Sequence, residues 1–428
     1  MAKMENVVIA DYLRSPFSRS RPGQPERDVF DSLGMVTVFA DIIKEMIKRT
    51  NIDPTEINDV LTGASIQIGE QQGISRLPGL VAGLPINVAG QGIERACCSG
   101  MSALHTGAME VAQGYSDIVV VGAIEHMTHL PIDFSYYRND PHIMGMMRIM
   151  NPAKMKDLFK KYDMATAQSM GLTAEKLFAT ANEEGLNITK EDLDKFAVRS
   201  HNLAEQALDD GYFKGEIIPV EAKQADGSVK IIEEDQSIRR GSTLESTANL
   251  KPAFKRKGVI TAGNSSPLNA GAVGMILMTE DKAKQYGITP SAKITSLGWA
   301  GVDPSIMGAG PVPASEMALK HAGLKPEDID YWEVNEAFVI VAMYAMKKFG
   351  VPEDRINVRG GATAIGHPLA CSGIRMTGTL ARILEERDAK VSFLGEGLLQ
   401  PGDDRRIDPV GDQRPDLAAL EARRAVAD

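Results

Sequence analysis

Three cysteines in 428 residues are too few, and of the wrong parity, for a disulfide framework, and such usage fits a reducing compartment. No apolar run approaches the roughly 20 residues of a membrane-spanning helix. The chain enters an apolar run by Ala10 without the basic flank of a secretory leader. A cytoplasmic chain with no membrane partner is expected. Basic residues number 47 against 57 acidic ones, a net charge of −10, which argues against a general nucleic-acid surface. A local basic site for an anionic ligand is still open. The seven histidines are scattered and Cys97 and Cys98 are adjacent, so no metal-ligand spacing is seen. The glycine loops match neither a Walker A pattern nor a strand-led GxGxxG.

What is present is ordinary in proportion: 43% apolar and 24% charged residues, with 40 glycines for tight turns and 21 methionines. The length exceeds one simple core and implies two or three domains. Val7–Ala10 reads as a buried strand and 33–48 as an amphipathic helix. Asn51-Ile52-Asp53-Pro54 marks a turn before the strand Val60–Gly63, and Ile118–Gly122 is a further buried strand. Strands alternating with helices predict an α/β architecture. Residues from about 128 to 250 differ in character. They carry the methionines Met144, Met146, Met147 and Met150, then charged helices such as 188–209 and a polar turn at Asp226-Gly227. This stretch reads as an inserted lid or loop domain.

The chain is organised around Ile93-Glu94-Arg95-Ala96-Cys97-Cys98-Ser99-Gly100-Met101. From Met101 the apolar residues Leu104, Ala108 and Val111 recur at helical spacing, and Gly114 closes the run. A cysteine at a helix N-terminus has its thiolate favoured by free N–H groups and the dipole, the setting of a nucleophile. The plainer alternative is a small buried apolar residue.

An internal repeat ties this stretch to a second one. Residues 47–57 align with 319–329 at an offset of 272; one residue of slippage later, Cys98-Ser99-Gly100 matches Cys371-Ser372-Gly373. At that later offset Ile118–Gly122 meets 391–395. A period this long fits a duplicated domain rather than a solenoid. Equivalent loops then face each other across a pseudo-twofold, so Cys97 should face the loop before Cys371. That loop, Gly360-Gly361-Ala362-Thr363-Ala364-Ile365-Gly366-His367-Pro368, brings a histidine that is either structural or the partner that activates the thiol. A third loop carries Asn335 and Glu336. Asn335 either holds a water or oxyanion, or the two residues cap the next helix.

Taken together, these motifs resemble those of the thiolases over residues 5–395. They are Cys97-x-Ser99-Gly100, Met170-Gly171-x-Thr173-Ala174-Glu175, Thr261-Ala262-Gly263-Asn264-x-Ser266, Gly308-x-Gly310-Pro311-x-Pro313, Asn335-Glu336-Ala337-Phe338 and Gly366-His367-Pro368, all in order. The resemblance implies the thiolase fold: two duplicated α/β halves, each a mixed five-stranded sheet with helices, plus an inserted loop domain. The boundaries follow as 1–127 for the N-terminal half (completed by about 252–283), 128–251 for the coenzyme A-binding insertion, 284–400 for the C-terminal half and 401–428 for an atypical tail. It implies thiolytic cleavage of a 3-ketoacyl-CoA, or the reverse Claisen condensation. Cys97 is then the acylated nucleophile, His367 its activator and Asn335 the holder of an oxyanion-hole water. Arg239 and Ser246 match nucleotide contacts, Phe254 the adenine pocket, Ser266 and Leu268 the pantetheine contacts, and Met307 and Phe338 the acyl pocket. Lys251, Lys255, Arg256 and Lys257 form either a phosphate-facing cluster or a solvated basic face. No permanently bound cofactor and no metal are implied; coenzyme A and acyl-CoA enter as substrates, and a homodimer or homotetramer is expected.

The pattern breaks at one point. The family places a second cysteine about thirty residues after the histidine, where it moves the proton on the substrate α-carbon. Here that count reaches Gly397, and no cysteine follows Cys371. General acid–base help is typically worth about 10²–10⁴-fold, so the loss bears on carbon–carbon chemistry while acylation of Cys97 needs only nucleophile, base and oxyanion hole. Glu396 and Cys371 are the residues that could substitute. An acyltransferase without efficient Claisen chemistry and a non-catalytic acyl-CoA-binding subunit are the alternatives. Glu94 in place of Asn before the nucleophile, and Ala270 in place of Asp, are smaller departures.

Overall fold

The computed structural model describes residues 4, 6–130, 156–394 and 397–401. The methionines of 144–150, Glu396 and the tail from 402 lie outside the described residues. Strand β1 (Val7–Arg14) opens the chain, followed by the short β2 (Ser18–Arg19). Helix α1 (Met35–Thr50) buries Phe39, Ile42, Ile43 and Met46 on one face. It starts two residues later than the apolar pattern implied and runs on until Asn51, whose left-handed φ of 52° ends it. A 3₁₀ turn, Pro54–Glu56, is capped by the Asp53 carboxylate accepting from Thr55 N at 2.8 Å. Strands β3 (Asp59–Gly63) and β4 (Ala89–Ile93), helix α2 (Ser99–Ala112) and strand β5 (Ile118–His126) complete this stretch. Every residue of β5 is buried, so it extends four residues past the expected end at Gly122.

The charged stretch that follows holds α3 (Met170–Glu183) and α4 (Lys190–Asp209), the latter opened by a Thr189–Asp192 capping box. A small hairpin, β6 (Val220–Lys223) with β7 (Val229–Ile232), turns at Asp226-Gly227. The chain then returns to the main sheet with β8 (Asn269–Thr279), β9 (Ala292–Leu297), α5 (Pro311–Ala322), β10 (Tyr331–Glu333), α6 (Val339–Phe349), α7 (Ser372–Glu386), β11 (Ser392–Leu394) and β12 (Gly397–Pro401).

The strand order makes the duplication visible. From one edge it runs β4-β3-β5-β8-β1, and it continues β9-β12-β11-β10 to the other. Each half repeats the same steps. A proline-led 3₁₀ turn, Pro54–Glu56 or Pro326–Asp328, feeds β3 or β10, and a cysteine-preceded helix, α2 or α7, feeds β5 or β11. A parallel bridge of Trp332 to Ile356 stands beside β10 as β4 stands beside β3. The halves join where β1 pairs antiparallel with β9, Val8 against Lys293 and Ile9 against Ala292. The two sets of strands expected as separate five-stranded sheets are therefore hydrogen-bonded into one mixed sheet of ten.

Packing follows from which faces are apolar. One core holds α1 against β1, β5 and β8; another holds both α2 and α7 between the sheet halves; the third joins α3 and α4 to α5 and α6. Helix α7 is buried on nearly every side, including Arg375, which pairs with the equally buried Glu333 at 3.1 Å. The stretch carrying α4 and the small hairpin is anchored by Arg14 at the end of β1. Its guanidinium donates to Glu216 at 2.8 Å and to Asp235 at 2.7 and 2.8 Å, all fully buried. Losing one member would strand a buried charge, a loss of about 3–5 kcal/mol.

Candidate active site

The cysteine loop is built by backbone strain and a serine clamp. Ala96 takes a positive φ of 45°, unusual for a residue with a Cβ. The Ser99 hydroxyl lies 2.7 Å from Ala96 O and accepts from Arg95 N at 2.8 Å. Glu94 folds back so that its carboxylate accepts from Ala96 N at 2.8 Å. Cys97 thus sits partly buried just ahead of α2, whose N-cap is Cys98. Burial, and after it the charge of Glu125, pushes its thiol up to about 12. The resting sulfur is a protonated thiol. The expectation that a helix N-terminus favours the thiolate fails here because Cys97 precedes the cap and desolvation outweighs the dipole.

The first turn of α2 abuts the histidine loop. Gly100 lies so near Ala370 that a Cβ there would stand 2.3 Å from the Ala370 carbonyl oxygen. Ala370 N in turn donates to the buried Glu125 carboxylate at 3.1 Å, and that carboxylate also holds Gln71 at 2.8 Å and the Ser65 hydroxyl.

His367 follows Gly366, whose φ of 114° and close approach to the Asn269 side chain both demand glycine. Its own N–H donates to Asn269 Oδ1 at 2.8 Å, while Asn269 Nδ2 donates to Ser18 O at 2.6 Å. The ring Nδ1 lies 2.5 Å from Ser372 Oγ and 3.5 Å from Asn335 Nδ2. Nε2 is buried and has no hydrogen-bond partner among the described residues. Burial, reinforced by the Arg375 charge, lowers this imidazole to about 3. It is neutral at physiological pH. With Nδ1–H given to Ser372, the Nε2 lone pair is free to accept a proton.

Asn335 lies beside that ring, its Oδ1 buried without a partner among the described residues. Helix α6 begins only at Val339, with Phe338 at its N-cap, so neither Asn335 nor Glu336 caps it. Glu336 has another task. Its carboxylate accepts from Ser200 Oγ at 2.7 Å, Asn357 Nδ2 at 2.7 Å and Thr363 N at 3.2 Å, fixing the turn that leads to His367.

The remaining sequence-derived positions divide into two groups. Ser266 N and Oγ both donate to Ala337 O, at 3.0 and 3.1 Å, and Leu268 bridges to His367. Phe254 meets Phe338 edge to face at 5.9 Å and covers Gly171. Met307 is 40% exposed on the turn Pro304–Ala309, where Gly308 packs against Leu177 and Val341. Arg239 and Ser246 are exposed on the far stretch, and their hydrogen bonds go to His201 and Thr243 rather than to this group. Lys251, Lys255, Arg256 and Lys257 are also exposed.

Two positions bear on the absent second cysteine. Cys371 is fully buried, its Sγ donating to Ala123 O at 3.4 Å and Gly271 O at 3.3 Å, and burial pushes its thiol up. It points into the sheet and does not substitute. Gly397 opens β12 opposite Leu394 and helps line a small cavity with Met101, His105 and Thr377. It offers no side chain to carry a proton.

Sequence reasoning passed over Asn269, Ser372 and the ties of Glu125 and Glu336. Ser372 alone had a signal, since the repeat equates it with Ser99, the serine that shapes the cysteine loop.

Duplicated α/β halves that set a thiol and a neutral imidazole on abutting loops define a class of cysteine-based acyl-transfer folds. The chain belongs to the thiolase family: residues 7–281 match the model "Thiolase, N-terminal domain" and residues 288–395 match "Thiolase, C-terminal domain". It is 41% identical over 405 residues to a 3-ketoacyl-CoA thiolase of Marinobacter nauticus, covering 92% of this chain and 97% of that one. A 3-ketoacyl-CoA thiolase of Hahella chejuensis is 39% identical over 405 residues with the same coverage. Among solved structures, an acetyl-CoA acetyltransferase of Bacillus anthracis superposes with a TM-score of 0.79 at 33% identity, over 94% of this chain and 99% of that one.

Proposed function

We propose that this chain is an acyltransferase that acts on 3-ketoacyl-CoA through an acyl-Cys97 thioester. The observation that carries the reading is the His367 Nε2: buried, neutral and without a partner among the described residues, on the loop against which the Cys97 helix packs. The thiol proton passes to Nε2 as Cys97 Sγ attacks the 3-keto carbon. The C2–C3 bond then breaks, leaving acyl-Cys97 and the enolate of acetyl-CoA, whose C2 takes up the proton held on Nε2. The thiol of free coenzyme A then displaces the acyl group, and its own proton restores the Cys97 thiol. Once protonated, Nε2–H serves as a donor to the developing oxyanion, with Asn335 holding the second donor, a water.

The proposal extends to how the substrate is held. Ser266, Leu268 and Phe338 line the pantetheine and acyl path beside His367, with Met307 further along. Phe254 faces the adenine, and Arg239 and Ser246 face the nucleotide end. Residues 128–251 act as the coenzyme A-binding insertion between halves 1–127 (with 252–283) and 284–400. A homodimer or homotetramer in the cytoplasm is part of the same reading; the exposed edge strand β4 supports self-association.

Gly397 favours a second reading, in which acylation persists but carbon–carbon cleavage is slow. One experiment separates them: the intact mass of the protein after acetoacetyl-CoA is added without free coenzyme A, with peptide mapping of the adduct. An acetyl group on Cys97 shows cleavage, and an acetoacetyl group shows acyl transfer alone. No adduct with short or long acyl-CoAs would refute both.

A further inference from the structure

We propose that Glu70, His126 and His129 form a binding site for a divalent transition-metal ion of the zinc type, separate from the cysteine site. One ligand atom from each residue lies within 4.8 Å of the others. The two imidazoles stack with ring centroids 3.5 Å apart and planes 8° from parallel. Their outer nitrogens are both spoken for by consecutive carbonyls: His126 Nε2 lies 3.0 Å from Phe30 O, and His129 Nε2 lies 2.8 Å from Asp31 O. A ring nitrogen facing a backbone carbonyl carries the hydrogen, so in each neutral ring Nδ1 is left with the lone pair. A carbonyl contact on the far nitrogen is the arrangement that orients metal-bound histidines.

The two Nδ1 atoms then pose a problem that a cation solves. His129 Nδ1 stands 3.1 Å from the Glu70 carboxylate oxygen, two acceptors face to face unless a proton or metal lies between them. His126 is fully buried, and its Nδ1 has no hydrogen-bond partner among the described residues. A proton shared by His129 and Glu70 answers the first contact but leaves His126 Nδ1 orphaned; an ion among the three answers both. Tetrahedral N/O ligands at about 2.0–2.1 Å stand roughly 3.4 Å apart. The rings are nearly parallel, so their in-plane lone pairs meet on one ion only once the two side chains turn out of the stack toward each other.

The site has a structural setting of its own. His126 ends β5, one residue after the Glu125 that holds Ser65, Gln71 and Ala370; Glu70 lies on the 3₁₀ turn Gly69–Gln71; Phe30 and Asp31 precede α1. An ion there would pin the 65–71 loop and the 28–31 loop to the end of β5. The 28–31 loop, through Phe30, packs with Ile118, Val120 and Ile124 on the face of β5 opposite Glu125.

The full-length chain, stripped with chelator, would be titrated with cobalt(II) and then zinc(II). The expected result is one ion per chain with visible cobalt bands of N/O ligation and no thiolate charge-transfer band. His129→Ala and Glu70→Gln, both partly exposed positions that leave the core intact, should each weaken binding about 10- to 100-fold. A far-ultraviolet spectrum and melting curve of each variant confirm folding. A wild-type chain that binds no ion, a thiolate band placing the metal on Cys97 or Cys98, or unchanged affinity in both folded variants would overturn the proposal.

Discussion

Replacing Ser372 with alanine tests the reading that His367 works through its Nε2. The hydroxyl lies 2.5 Å from His367 Nδ1 in a fully buried setting, and Asn335 Nδ2, the ring's other neighbour, is a donor at 3.5 Å. Without the hydroxyl, an Nδ1–H faces only a donor and is left unsatisfied. Burying an unsatisfied polar group costs about 1–3 kcal/mol. The ring escapes that penalty only by moving its proton to Nε2, which removes the base from the thiol. Either way the acylation barrier rises, by roughly 5- to 150-fold in rate if the whole penalty is felt. Acetylation of Cys97 by acetyl-CoA, followed by rapid quench and intact mass, measures that step before any carbon–carbon chemistry. Half-saturation with acetyl-CoA should be unchanged, since Ser372 does not face the pantetheine contacts, and a urea melt reports whether folding is intact. A folded S372A chain that acetylates within twofold of wild type, while H367A does not acetylate, would refute the tautomer argument.

Two further outcomes follow from groups outside the catalytic pair. Burial, reinforced by the Arg239 charge, lowers His201 to about 4 from 6.5, so between those values the unfolded chain binds a proton that the folded chain refuses. Stability is therefore lost as pH falls from about 6.5 to 4, by at most about 1.4 kcal/mol per pH unit. His201→Asn should remove this loss, and urea melts of variant and wild type across that range should diverge; parallel curves would show the imidazole is not held neutral. At Gly171 a Cβ would stand 2.1 Å from the Phe254 ring, so Gly171→Ala must swing that ring off Phe338. Such aromatic contacts are worth about 0.5–1.5 kcal/mol, so the coenzyme A half-saturation should rise about two- to tenfold with Cys97 acylation unchanged at saturation. No change in half-saturation would remove Phe254 from the adenine pocket.

Periodicity and local chemistry explain what could be read in the chain itself. The apolar spacing of α1, the capping box of α4, the buried runs of β1 and β5, and the 272-residue repeat are each written in neighbouring residues or in plain recurrence. The group Cys97, Asn335 and His367 came instead from the resemblance to the thiolases, because several loop motifs in fixed order are more specific than any one of them. Tertiary structure decided what depends on burial and on distant partners. The Cys97 thiol stays protonated because desolvation outweighs the helix end, and no local pattern reports desolvation. Glu336 serves Ser200, Asn357 and Thr363 instead of capping α6, since its partners lie 21 to 136 residues away. Cys371 faces the carbonyls of Ala123 and Gly271, which closes it off as a second thiol. The pairing of β1 with β9, which makes two repeats one sheet, needs both copies folded before either edge exists. His126 and His129 looked like scattered histidines because Glu70, the third member of their group, comes from a loop more than fifty residues earlier.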